Sequence, residues 1–256
     1  MFWKDKIIFL TGALSGIGEA LALELSKRGA ILGLIARREE LLRKIVEKCE
    51  QSGGMARYFA VDVTDAKMVS NVAEKLRNEF GKIDILIANA GIGGNNPETR
   101  NLNADSVAKV ININLLGAVN AVSAVLPQML EKKSGHLVAV SSLAGFRGLP
   151  KSAAYSASKA GMTAFFESVR LDVQAKGVAV TIIQPGFIKT PLTSGRMSKM
   201  PFLMELEDSI PLFLNAIERR KKFAAFPWQL AMVVRAGRYL PAGLYDKIAG
   251  RAAYRE

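Results

Sequence analysis

The chain has 256 residues, half of them hydrophobic, and 35 Lys and Arg against 23 Asp and Glu give a formal net charge of +12. That length suits one large α/β domain, and the charge suits an anionic cofactor, an anionic membrane or nucleic acid. A single cysteine, Cys49, excludes an intramolecular disulfide, and a single histidine, His136, excludes His-rich metal sites, so no metal is expected.

The first residues run straight into a strand pattern with no signal-peptide core ahead of them. No uninterrupted apolar stretch reaches the ~18 residues of a membrane span, so a cytoplasmic location is expected. Residues 7–10 are a short apolar run ending in Thr11-Gly12, the pattern of a buried parallel strand. A helix follows over 18–28 and stops at Gly29. Further strands are expected at 31–35, 56–61, 83–88, 135–141, 178–183 and 223–226. They alternate with helices at 39–51, 65–80, 104–132 and 155–176. Cys49 falls in a charged helical run and reads as an incidental thiol, and His136 as a structural residue at a strand entrance. This alternation predicts a single α/β domain over 1–256, a doubly wound parallel sheet (Rossmann fold) of about seven strands with helices on both faces. Ligands of such sheets bind at the carboxyl ends of the strands, which places Thr11, Ala36, Asp62, Asn89, Ser142 and Pro185 on one rim.

Thr11-Gly12-Ala13-Leu14-Ser15-Gly16-Ile17-Gly18 joins the first strand to the first helix. Glycines allow a tight turn and a close backbone approach to phosphate, and the helix start offers free N–H groups. The spacing is G-x-x-x-G-x-G rather than G-x-G-x-x-G. At the end of the second strand an acidic residue would bind the ribose 2′-hydroxyl of NAD; Arg37 and Arg38 stand there instead, and two guanidiniums suit a 2′-phosphate. NADP(H) is therefore the expected cofactor.

Tyr155 and Lys159 are four residues apart on one helix face, with Ser142 thirteen residues upstream of the tyrosine. A cation one turn from a phenol favours the phenolate and lowers its pKa, which makes the tyrosine a proton donor or acceptor near neutrality. Reduction of a ketone needs that proton on oxygen and a hydride on carbon, and the cofactor supplies the hydride. Ser141 and Ser142 point to opposite faces of their strand, and the residues alone do not choose between them.

These motifs, together with Asp62-Val63, Asn89-Ala90-Gly91, Asn114 and Pro185-Gly186, are similar to those of the short-chain dehydrogenase/reductase family over about residues 5–192. The resemblance implies Tyr155 as catalytic acid/base, Ser142 orienting the carbonyl, and Lys159 lowering the tyrosine pKa and binding the nicotinamide ribose. It implies that Asn114 helps hold a relay water, that Asp62 contacts adenine, and that Asn89, Ala90 and Gly91 line the cofactor. Pro185, Gly186, Ile188 and Thr190 would cover the nicotinamide. Gly12, Ser15, Gly16, Ile17 and Gly18, with Arg37, Arg38, Asp62 and Val63, complete the expected cofactor set.

The family keeps its substrate lid at the place of 190–222, here rich in methionine (Met197, Met200, Met204), which suits a lipophilic ketone or alcohol. The C-terminal extension, 227–256, is basic and amphipathic, so peripheral membrane contact is expected; a homodimer through 104–132 and 155–176 is the expected assembly. No recognised nucleic-acid module is present, so no nucleic-acid partner is expected. The alternative function is a non-catalytic NADP-binding redox sensor or scaffold.

Overall fold

The computed structural model describes residues 2–93, 102–194 and 200–253. Seven parallel strands form one sheet in the order β3-β2-β1-β4-β5-β6-β7. They are β1 (Ile7–Thr11), β2 (Ile31–Ala36), β3 (Met55–Ala60), β4 (Ile85–Ala88), β5 (Gly135–Val140), β6 (Val178–Pro185) and β7 (Phe223–Phe226). The helices are α1 (Gly16–Lys27), α2 (Glu39–Gln51), α3 (Ala66–Phe80), α4 (Ala104–Ile111), α5 (Gly117–Glu131), α6 (Ala153–Val173), α7 (Leu206–Glu218), α8 (Trp228–Arg238) and α9 (Ala242–Ala253).

Strand alternation divides the core into two layers. Ile8 and Leu10 of β1 face one side, with Leu21 and Leu25 of α1, Leu42 of α2 and Phe213 of α7. Ile7 and Phe9 face the other, with Leu76 of α3, Val125 of α5 and Phe166 of α6. The register sets Phe9 beside Gly33 and Leu86, and the missing side chain at Gly33 leaves the space that Leu76 fills. Both faces are thus covered, which is why the strands read as continuous apolar runs.

Three differences from the sequence pattern have local causes. β4 begins at Ile85 because Asp84 turns its carboxylate onto the Ile7 amide at 3.0 Å. The helix expected over 104–132 is broken by a π-helical turn, Asn112–Leu116, that joins α4 to α5. The expected lid range, 190–222, contains a helix, α7, that buries Ile210, Phe213, Leu214 and Ile217 in the core; Met197 lies outside the described residues. The run Ala104–Glu131 is long and apolar enough to cross a membrane by length and composition, yet Ala121, Val122, Val125 and Met129 are buried among the sheet and its neighbouring helices.

His136 and Cys49 are structural. Cys49 is buried, and burial pushes its thiol up. His136 is buried with its Nε2 2.8 Å from Thr181 Oγ1, and burial, then the Arg220 charge, lowers its pKa to about 3. The folded value lies below the ordinary 6.5, so the neutral ring stabilises the fold above that pH and the contribution is lost as pH falls towards 3. Unfolding free energies measured by denaturation across that window should fall by roughly 1.4 kcal/mol per pH unit as pH is lowered, and His136→Gln should flatten the decline.

Candidate active site

Strand order reverses between β1 and β4, and the crevice at their carboxyl ends is the ligand position in such sheets. Thr11, the last residue of β1, ties the two halves together. Its Oγ1 accepts from the amides of Asn89 and Ala90, each at 3.1 Å. The Asn89 side-chain amide returns bonds to the carbonyls of Thr11 at 3.2 Å and Gly12 at 3.0 Å. Gly12 has φ +70°, and a Cβ there would stand 2.6 Å from Ala90 Cα; Gly16 has φ +54° beneath Thr190. Only glycine satisfies both demands at Gly12. Ser15 stands at the start of α1 and makes no side-chain cap bond, which leaves the first N–H groups without a side-chain partner there. The bare backbone at the glycine loop fits a phosphate group.

At the end of β2, Arg37 and Arg38 are both exposed. Arg37 Nη1 lies 3.8 Å from Asp62 Oδ2, while Asp62 Oδ1 accepts from Thr64 N and Oγ1 at 2.9 and 2.8 Å. A cleft of about 310 Å³ is lined by Arg37, Asp62, Lys109 and Asn112 among others. The Arg37 guanidinium at this cleft, with the exposed Arg38 next to it in sequence, fits a nucleotide end carrying an extra phosphate.

The structure separates the two serines. Ser141 Oγ donates to the Lys159 carbonyl at 3.0 Å and lies 2.8 Å from Thr163 Oγ1, so it anchors α6. Ser142 turns the other way, and its Oγ accepts from Ala144 N at 3.1 Å. Burial raises the Tyr155 pKa, and the Ser142 hydroxyl only partly opposes it. Lys159 stands near the phenol with its ammonium hydrogen-bonded elsewhere. Its Nζ donates to the Val140 carbonyl at 2.9 Å, lies 5.8 Å from the Tyr155 ring centre, and is itself lowered to about 8 by burial. The phenol is protonated at neutral pH, the form that a proton donor requires.

Asn114 lies in the π turn and is fully buried. Its Oδ1 accepts from Ile92 N at 2.8 Å, and its Nδ2 donates to the Ile92 carbonyl and to Ser158 Oγ, both at 3.0 Å. Ser158 in turn donates to the Tyr155 carbonyl at 2.8 Å. The Asn114 side chain thus pins the loop after β4 to α6 beside Tyr155. Ser158 was not picked out from sequence; its spacing three residues after Tyr155 was the one available signal.

Gly91 lies beside Asn114 and Lys159, so a Cβ there would stand 3.5 Å from Lys159 Nζ. Pro185 O is 3.5 Å from Ser142 Oγ, and the Gly186 amide donates to the Phe226 carbonyl at 2.7 Å. The side chain of Val63 packs against Gly117 in α5, and that of Ile188 lies in the core beside α7.

The sequence profile of short chain dehydrogenases matches residues 6–201. An uncharacterized oxidoreductase of Myxococcus xanthus is 44% identical over 246 residues, covering 96% of this chain and 97% of that protein. An 11-beta-hydroxysteroid dehydrogenase-like protein 4A of Arabidopsis thaliana is 33% identical over 88% of this chain and 77% of its own. The crystal structure of a metagenomic short-chain oxidoreductase in complex with NADP superimposes with a TM-score of 0.69 at 30% identity, over 73% of this chain and 84% of that one.

Proposed function

The chain belongs to the short-chain dehydrogenase family, and on that premise we propose that it is an NADP(H)-dependent oxidoreductase interconverting a lipophilic ketone and a secondary alcohol. The observation that carries this proposal is the Tyr155 phenol, with Ser142 and Lys159 beside it, at the crevice where the sheet reverses. A redox sensor has no need of a proton donor in that place.

When bound, the dinucleotide supplies or accepts the hydride. Tyr155 donates its proton to the carbonyl oxygen during reduction, and Ser142 offers a second hydrogen bond to that oxygen as negative charge grows. Lys159 places a cation near the phenol and offsets the charge left when the proton departs. Gly12, Gly16 and the start of α1 hold the pyrophosphate, and Arg37 and Arg38 hold the 2′-phosphate. The resemblance to a steroid dehydrogenase-like relative supports a lipophilic substrate, as do Met200, Met204 and the exposed Phe202 before α7. A homodimer through α4–α5 and α6 belongs to the same proposal, because Leu116 and Leu171 stand exposed on those helices.

NADPH absorbance followed with a panel of lipophilic ketones tests the activity; no oxidation with any of them favours the sensor. Cofactor choice is tested by Arg37→Asp, which removes a charge-assisted contact and adds repulsion. The preference for NADPH over NADH should fall by about 10- to 100-fold, in line with the worth of one charged hydrogen bond. An unchanged ratio of the two affinities would sink the 2′-phosphate assignment.

A further inference from the structure

The two C-terminal helices show one face to the protein and another to solvent. The inner face of α8 is used up: Leu230 and Ala231 are buried with Leu143, and Leu230 packs where a side chain at Gly186 would be. The outer face carries Trp228, Met232, Val233 and Tyr239, exposed by 69, 64, 64 and 85%. Helix α9 adds Leu244 and Ile248, one turn apart and exposed by 48 and 54%. Six of the fifteen large exposed hydrophobic residues among those described therefore fall between 228 and 248, a concentration that scattered surface residues do not show. Residues 228, 232 and 239 recur at helical spacing, so they form one stripe.

Exposed Arg235, Arg238 and Lys247 accompany that stripe against a single acidic residue between 228 and 249, Asp246. Apolar side chains, an indole, a phenol and cations on one face match a bilayer interface. Tryptophan and tyrosine place their rings at headgroup level, and the basic groups meet anionic lipid. A second copy on this face would bring like charges together, which disfavours self-association.

The helices are fastened to the loop between Ser142 and Tyr155. Arg147 Nη1 donates to the carbonyls of Gly237 at 2.6 Å and Leu240 at 2.9 Å, and its guanidinium lies 3.8 Å from the Tyr245 ring centre. The Tyr245 hydroxyl donates to the Gly148 carbonyl at 2.5 Å. Arg235 lies 5.8 Å from the ring of Phe146 in the same loop. We propose that α8 and α9 dock the protein on the surface of an anionic lipid bilayer, which holds the loop beside Tyr155 close to the lipid. The lipid contact stands apart from the oxidoreductase proposal; a lipophilic substrate drawn from the bilayer rests on it.

The chain holds two tryptophans, and Trp3 is 2% exposed, so emission changes on adding vesicles report on Trp228. The full chain is titrated with unilamellar vesicles of phosphatidylcholine and phosphatidylserine, and in parallel with phosphatidylcholine alone. Expected are a blue shift and co-sedimentation with the mixed vesicles, both weakened by salt. The double variant Met232→Glu, Val233→Glu should lower partitioning by about tenfold or more, with its thermal midpoint unchanged. Absence of a shift and of co-sedimentation with mixed vesicles overturns the proposal, as does equal binding to phosphatidylcholine alone. A shift that follows protein concentration without lipid, with a mass by sedimentation equilibrium that drops in the double variant, assigns the face to a second copy and also overturns it. None of these measurements needs turnover, so failure here is distinct from failure of the enzymatic proposal.

Discussion

Tyr155→Phe should lower kcat for ketone reduction by about 10²- to 10⁴-fold, the range one positioned acid contributes, while the Kd for NADPH stays near wild type. The substitution removes one oxygen and keeps the ring in its packed position. The Ser141 bonds that anchor α6 do not involve the phenol, nor do the Asn114–Ser158–Tyr155 carbonyl links that fix its first turn. The loss should therefore appear in chemistry rather than in folding. Stopped-flow oxidation of NADPH at saturating ketone, together with fluorescence titration of the cofactor, separates the two. A variant that keeps full turnover removes Tyr155 from the role of acid.

Gly18→Ala should abolish measurable cofactor binding and lower stability by about 1–3 kcal/mol, the usual cost of forcing atoms into a filled site. The added methyl would run into the Gly12 carbonyl oxygen and stand 2.7 Å from Asn89 Nδ2. The obstacle on one side is backbone, so a rotamer change does not relieve it. Asn89 would have to leave the carbonyls of Thr11 and Gly12, which opens the link between β1 and β4. Gly243→Ala in α9 is the control: nothing lies within 4 Å of the new methyl, and a helical glycine replaced by alanine should gain roughly 0.5–1 kcal/mol. Urea denaturation of both variants, with and without NADPH, measures the contrast. Equal behaviour of the two would mean that the glycine loop is not a filled turn.

Strand period and glycine punctuation made the sheet legible before any coordinates, because a parallel strand covered on both faces has to be an apolar run. The Tyr155, Lys159 and Ser142 set was legible for a similar reason, since i to i+4 spacing on a helix fixes proximity. What sequence did not show was direction. That Ser142 and not Ser141 faces Tyr155 depends on which side of β5 carries α6. The lysine bond to the Val140 carbonyl depends on where β5 ends. Within the range 190–222, placed by resemblance to the family, Phe213 and Ile217 complete a core layer with α1, a long-range contact that no local pattern encodes. Val63 and Ile188 belong to motifs whose backbone faces the crevice while their side chains complete the interior.

The π turn at Asn112–Leu116 also bears on how such a protein changes over generations. Each helical residue turns the chain by about 100°, so a wider turn sets α5 out of phase with α4. Loss of a single residue there would restore a regular helix and its bonds while swinging Asn114 away from Ile92 and Ser158. The wide turn is a place where fold and chemistry part company: a one-codon deletion offers a descendant a more regular helix and an idle active site.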